Sequence, residues 1–234
     1  MERQVQHRGR CIVSGLKWLV SVLAFAMSAY TQENPPRVLQ IYRDFLKPGS
    51  DNTYRRIEEK AARICMKLKC PHPYLAIESL TGSKEVWFFN GYDSPAEQKQ
   101  VAEDYQKNPV LMKALSQIAN RKTGLISEPA NVFANHRPEL SRGTPWRLGR
   151  GRFLVITVTN SNRKVEGTVF ETNEGTQFII RSAQTRHQAD GWAGAAGSET
   201  RVFAVCPNWS MPAKDWTVAD PAFWTIQCTA AAAK

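Results

Sequence analysis

Hydrophobic alternation is strongest over residues 71–92, PHPYLAIESLTGSKEVWFFNGY. Leu75 and Ile77 alternate with Tyr74, Ala76 and Glu78; Val86, Phe88, Asn90 and Tyr92 alternate with Trp87, Phe89 and Gly91. A period of two means strands, and Thr81-Gly82-Ser83-Lys84 between the two runs makes the turn of a hairpin. Both faces of this hairpin are apolar for most of their length, so both should be covered. Helices supply one cover. The other must be a second sheet, a second domain or another subunit.

Flanking elements follow from the same reading. Residues 37–46 (RVLQIYRDFL) alternate as a strand, with Leu39, Ile41 and Phe45 on one face and Val38, Gln40 and Tyr42 on the other. Lys47-Pro48-Gly49-Ser50 breaks the run. From 52 to 68 the period becomes helical. Tyr54, Ile57, Ala61, Ile64 or Cys65, and Leu68 fall on one face, with Arg, Glu and Lys mostly opposite. Asp93-Ser94-Pro95-Ala96-Glu97 starts another helix: Ser94 caps, Pro95 takes the first position and Glu97 completes a capping box. It runs to about 107, where Asn108-Pro109 interrupts it and begins a helix over 110–120. Residues 129–135 (PANVFAN) read as a short edge strand. Strand, helix, strand, strand, helices, strand is the ferredoxin-like order.

The stretch 137–152 (RPELSRGTPWRLGRGR) has no periodicity and reads as a basic linker. Beyond it come a buried strand at 153–159 (FLVITVT), a hairpin of 167–172 and 176–181 around Asn173-Glu174-Gly175, an Ala-rich helix at 185–196 and a strand at 201–206. The fold class expected is α+β. One ferredoxin-like antiparallel sheet has helices on one face. A second, mostly-β half lacks a proper first helix and is a candidate degenerate second unit, the pair forming a pseudo-dimeric barrel. The domain plan is 1–29 signal peptide, 30–36 linker, 37–136 α+β domain, 137–152 linker, 153–206 second half and 207–234 tail, whose Trp and Phe residues strap over the body.

Composition sets the compartment. Residues 1–17 carry Arg3, Arg8, Arg10 and Lys17 against Glu2, and 18–29 (WLVSVLAFAMSA) are uncharged and apolar. A basic region, a short apolar core and small residues at its end form a secretory signal. The alternative is an uncleaved anchor, but the run is short of the roughly 20 residues a spanning helix needs. The expected location is therefore periplasmic or secreted, without membrane attachment after cleavage. The net charge of +10 falls to +7 once those four cations and one anion leave. In an exported protein that excess points to acidic polymers, lipid head groups or no specific partner, rather than nucleic acid. Cys11 leaves too, and Cys65, Cys70, Cys206 and Cys228 remain. Four cysteines in an exported chain suggest two disulfides. Cys65–Cys70 and Cys206–Cys228 are favoured because each pair is local. The first requires α-helical structure to end between its members. With no Cys-x-x-Cys and scattered histidines, no metal site is expected.

Candidate chemistry centres on the hairpin. Tyr42, Phe88, Asn90 and Tyr92 share one face and could wall a pocket for a flat apolar or aromatic ligand, with Trp87 and Phe89 against the helices; plain core packing is the competing reading. Glu78 is a candidate base if buried, the competing reading being an edge-exposed or Arg-paired glutamate. His72, between two prolines, is a candidate base or haem ligand, or part of a rigid turn. Arg142, Arg147, Arg150 and Arg152 with Trp146 could bind an anion, or be a solvated linker.

The Lys47-Pro48-Gly49 turn and the passage Phe88-Phe89-Asn90-Gly91-Tyr92-Asp93-Ser94 resemble the antibiotic-biosynthesis monooxygenase superfamily of dimeric α/β-barrel domains, over about residues 38–120. Members often carry a carboxylate, an aromatic and a capping Ser at alternate positions. Here these fall on Asn90, Tyr92 and Ser94, so an amide replaces the carboxylate. The resemblance implies a barrel of two sheets, usually made by dimerisation, hence a homodimer or a second sheet from residues 153–206. It also implies cofactor-free or haem-dependent oxygenase-like chemistry as an alternative to simple ligand binding. The chain beyond its N-terminus also resembles exported bacterial proteins. Three functions stand from the sequence: a binder of a small apolar or aromatic ligand needing no cofactor, an oxygenase-like enzyme in the same pocket, and an envelope interaction module with a basic face.

Overall fold

A computed structural model describes residues 34–161, 163–196 and 200–224. The signal-like segment, Cys11 and Cys228 lie outside the described residues. The first half runs β1 (Val38–Leu46), α1 (Asp51–Leu68), β2 (Leu75–Ser79), β3 (Glu85–Tyr92), α2 (Pro95–Gln106), α3 (Pro109–Lys122) and β4 (Ile126–His136). The second runs β5 (Ser141–Arg142), β6 (Phe153–Thr159), β7 (Val165–Glu166), β8 (Thr168–Thr172), β9 (Gln177–Ala183), α4 (Arg186–Ala196) and β10 (Thr200–Val205). A 3-10 turn at Pro207–Trp209 and two short helices, α5 (Lys214–Ala219) and α6 (Pro221–Trp224), follow. No helix among the described residues is long and apolar enough to cross a membrane.

Eight strands close into one antiparallel barrel in the order β1-β3-β2-β10-β6-β9-β8-β4. Within the first half the order is β4-β1-β3-β2. Numbered by its own barrel strands, the second half has the same fourth-first-third-second order, as β10-β6-β9-β8. Each half is thus a ferredoxin-like sheet. They join where the second strand of one meets the fourth of the other, at β2–β10 and at β4–β8. The degenerate copy has lost the helix between its first two strands, where only residues 160–167 connect β6 to β8. The expectation that 153–159 extends or faces the first sheet is met, and closure needs no second copy of the chain.

Side chains alternate in and out as in any barrel. Alternate positions of all eight strands meet in one buried interior cluster that includes Leu39, Ile41, Trp87, Phe89, Phe178 and Phe203. Trp87 touches the rings of both Phe178 and Phe203, at 6.0 and 4.8 Å between centroids, so β3, β9 and β10 meet across the lumen. This corrects the assignment of faces. Trp87 and Phe89 fill the barrel, whereas Tyr42 and Phe88 lie outside it, packed with Tyr54 of α1 and Tyr74. Both alternations were apolar, so parity alone could not decide. The lumen of an eight-stranded barrel is just wide enough to be filled by side chains, and the bulkier Trp-x-Phe set fills it.

The stretch 137–152 is more than a connection: Trp146 and Leu148 are buried in the interior cluster together with Trp216 and Trp224 from the tail. Gly149 makes this possible. Its φ is +78°, and an added Cβ would fall 2.1 Å from the Trp216 ring. Residues 129–135 also differ from the expected edge strand. β4 is longer and pairs with β1 along its length and with β8 through Ala134–His136. Pro129 is tolerated because only one side of β4 is paired there.

α1 ends at Leu68, with Lys69 left-handed at φ 55°, and the chain reversal brings the Cys65 and Cys70 Cα atoms to 4.8 Å in a disulfide. Cys206 is buried at the end of β10; its expected pairing lies outside the described residues. Replacing both Cys65 and Cys70 by Ser should cost about 2 kcal/mol, the chain-entropy value for so short a loop. Urea unfolding checks this, and an unchanged midpoint would contradict it.

Candidate functional site

A cavity of about 320 Å³ lies between the outer face of the first sheet and its helices. Its floor is two cross-strand pairs, Gln40 opposite Asn90 and Tyr42 opposite Phe88. Period-two alternation puts these four side chains on one face. One roof strip is Glu58, Ala61 and Cys65 of α1, spaced three and four residues apart; another is Leu115, Ile118, Ala119 and Lys122 of α3, at the same helical spacing. Tyr74 and Tyr105 close the sides. Ser94 caps α2 by accepting from the Glu97 N–H at 3.1 Å, and the Glu97 carboxylate accepts from the Asp93 N–H at 2.5 Å, a box shifted one residue ahead of the Ser94 N–H that the sequence implied. That box sets the direction of α2 and so the place of Tyr105.

One corner of the cavity is charged. Lys122 Nζ lies 2.8 Å from Glu58 Oε1 and 3.1 Å from Asp44 Oδ2. Tyr54 donates its hydroxyl to the same Asp44 oxygen at 2.5 Å. The ammonium also stands over the Tyr42, Tyr54 and Phe88 rings, at 5.5–5.9 Å. Burial alone would push the Lys122 ammonium down. The Glu58 and Asp44 charges outweigh it and hold the group above its ordinary value. Burial raises the Glu58 carboxyl in spite of Lys122. Tyr54 and Tyr74 are likewise raised, first by burial. One ammonium shared by two carboxyl groups on an aromatic wall can hold a ligand's polar edge, and the Glu58 carboxyl can take up a proton.

Of the residues singled out from sequence, Tyr42, Phe88 and Asn90 meet in this cavity. Tyr92 shares their face but lies outside the wall; its hydroxyl donates to Gln40 at 3.1 Å, and burial foremost pushes its pKa up to about 12. His72 stacks on Tyr92, 4.7 Å between centroids, with Nε2 2.9 Å from the Gly91 carbonyl. The cavity wall carries no histidine, so its residues do not fit a haem held by an axial imidazole. Glu78 is buried, and Arg55 Nη2 donates to both of its carboxylate oxygens, at 2.6 and 2.8 Å, the Arg-paired alternative. The arginines do not act as one group: Arg142 is in β5, Arg147 is exposed, Arg150 follows it in a turn and Arg152 pairs with Asp220 at 3.1 Å. Lys122, Glu58 and Asp44 were missed. A signal existed for Glu58, four residues after Tyr54 and three before Ala61, a charge inside the apolar stripe of α1.

No protein-family model matches the chain, and no curated protein matches it. Similar solved structures include a candidate monooxygenase from Fusobacterium nucleatum subsp. nucleatum, 8% identical, covering 74% of this chain and 93% of that chain at a TM-score of 0.45. Another candidate monooxygenase, from Lactobacillus acidophilus, is 8% identical, covering 74% and 94% at 0.41. A mutant chlorite dismutase from Candidatus Nitrospira defluvii, in complex with cyanide, is 6% identical, covering 74% and 92% at 0.39. These are likenesses of coarse architecture and assign no role to any residue here.

Lys122→Met should destabilise the protein by about 3–5 kcal/mol, because it leaves two buried carboxyl groups without their cation. Lys122 binds its proton more tightly folded than unfolded. Its stabilisation is therefore complete below the ordinary lysine value of 10.5 and is lost as pH rises past it. Urea unfolding should show the gap between wild type and variant narrowing as pH rises above that value. A gap that widens there would contradict the assignment.

Proposed function

We propose that the protein is an exported binder of a small, flat, largely apolar molecule with one polar edge, held in the cavity between the first sheet and its helices. The observation that carries this is the wall itself. Tyr42, Tyr74, Phe88 and Tyr105 supply aromatic surface, while Gln40, Asn90 and the Lys122–Glu58 corner supply convergent polar groups in about 320 Å³. That is the make-up of a small-molecule site, at the lower end of the usual size range. Export is supported by the basic-then-apolar N-terminus and by the Cys65–Cys70 disulfide, which persists in an oxidising compartment. The paired ferredoxin-like sheets agree with the resemblance to the dimeric α/β-barrel superfamily, here with both sheets in one chain.

A second reading, oxygenase-like catalysis in the same cavity, is favoured by one observation. The Glu58 carboxyl on the wall is raised by burial toward the range of a general base. It would accept a proton from a bound hydroxyl, with the Lys122 ammonium beside the oxygen that loses it.

The two readings separate experimentally. Ala119 stands at the exposed rim of the cavity, so Ala119→Trp should fill the entrance without straining the core. Calorimetric titration with 2-naphthol should show saturable binding to wild type, weakened at least about tenfold in Ala119→Trp. Equal affinity in both proteins, or none in either, removes the binding reading. Dioxygen consumption with 2-naphthol that disappears in Glu58→Gln establishes catalysis, and binding without consumption leaves a binder.

A further inference from the structure

The barrel has a second charged cluster, on its interior face and at the end remote from the tryptophan plug. Trp146 and Leu148 pack near Phe89 and Gly91, late in β3, whereas Glu85 opens that strand and Arg201 lies at the start of β10. Glu85 is fully buried. Its Oε2 accepts from Arg43 Nη2 at 2.8 Å and from Trp87 Nε1 at 2.7 Å, and its Oε1 accepts from Arg201 Nη1. Its backbone N–H donates to Ser79 Oγ at 2.9 Å, which pins the start of the strand.

One carboxylate therefore serves two guanidinium groups. The residues opposite them on the neighbouring strands are Ala130 beside Arg43 and Ile156 beside Arg201, neither able to supply charge. No second carboxylate pairs with either arginine among the described residues. The cluster carries one uncompensated positive charge.

Both side chains are held in place while remaining partly open. The Arg43 guanidinium lies 4.4 Å from the Trp87 ring centre and 4.8 Å from that of Phe45, and its side chain is 19% exposed. Arg201 crosses the hairpin turn at Gly82, whose φ is +73° and where an added Cβ would lie 3.3 Å from Arg201 Nε; its side chain is 31% exposed. Two arginines fixed by a shared carboxylate leave N–H edges that Glu85 does not use, at a mouth of the barrel. Guanidinium forks match the oxygens of carboxylates and phosphates.

We propose that Arg43 and Arg201 form an anion site for a small oxyanion at this mouth, with Glu85 as the positioning residue that holds the two guanidinium groups side by side. The site is separate from the cavity under the helices and does not depend on what that cavity binds.

The test uses the full chain with inorganic phosphate as the probe, exchanged against chloride at constant ionic strength. Wild type should show a saturable rise in unfolding temperature and a saturable broadening of the phosphate ³¹P resonance. Arg201→Gln should weaken both by at least about tenfold. Arg147→Gln, at an exposed arginine elsewhere, should leave both unchanged. The ³¹P readout is independent of any stability lost in Arg201→Gln. No saturable response in wild type, or an equal response in Arg201→Gln, overturns the proposal and leaves the cluster a structural ion network.

Discussion

Closure of the sheet is the constraint on which everything else depends. Two short seams do it, β2 to β10 and β4 to β8, each of three residue pairs. Neither half can make a barrel alone, because its second and fourth strands would be left as open edges. Joined, the halves enclose a lumen that must be filled, and Trp87, Phe89, Phe178 and Phe203 fill it. The end near Gly91 receives further rings from outside the strands. Trp146 arrives from the connection between the halves and Trp216 from the tail. The connection and the tail are therefore part of the barrel core in energetic terms, despite their lack of regular patterning.

Filling the lumen leaves the cavity under the helices outside the sheet. The first half keeps two crossover segments, and α1 and α3 lie over β1 and β3 with a gap between them. The second half has lost its first crossover helix, so the pseudo-symmetric counterpart of that roof is absent from it. Among the described residues the helix-covered cavity belongs to the first half, while both halves share the work of closing the barrel.

Charge is distributed with the same economy on the two sides of the sheet. Consecutive residues Arg43 and Asp44 point to opposite faces. Arg43 joins Glu85 and Arg201 in the lumen, and Asp44 joins Lys122 and Glu58 under the helices. Each buried group meets a partner of opposite sign, as groups this far from water must. The balance is unequal in opposite senses. Two carboxyl groups share one ammonium under the helices, and two guanidinium groups share one carboxylate in the lumen. A single dipeptide of β1 therefore links these two charged clusters, and a one-residue slip of its register would turn each side chain to the other face.

The sequence by itself determined the elements, because periodicity, caps and turns are local. It showed the hairpin, the Ser94 cap, the helix stop that lets Cys65 reach Cys70, and the mostly-β element order that made the second half a candidate second unit. It also brought together Tyr42, Phe88 and Asn90, since neighbouring alternate positions share a face whichever way that face points. Only the tertiary structure decided which face was the lumen, because both alternations of β1 and β3 are apolar and the choice rests on volume rather than polarity. Only it could join Lys122 to Asp44 and Glu58, three residues on three elements whose meeting depends on how α3 lies across β1 and α1. The same holds for Trp146, which looked like a solvated residue among arginines until the closed barrel offered it a hole to fill.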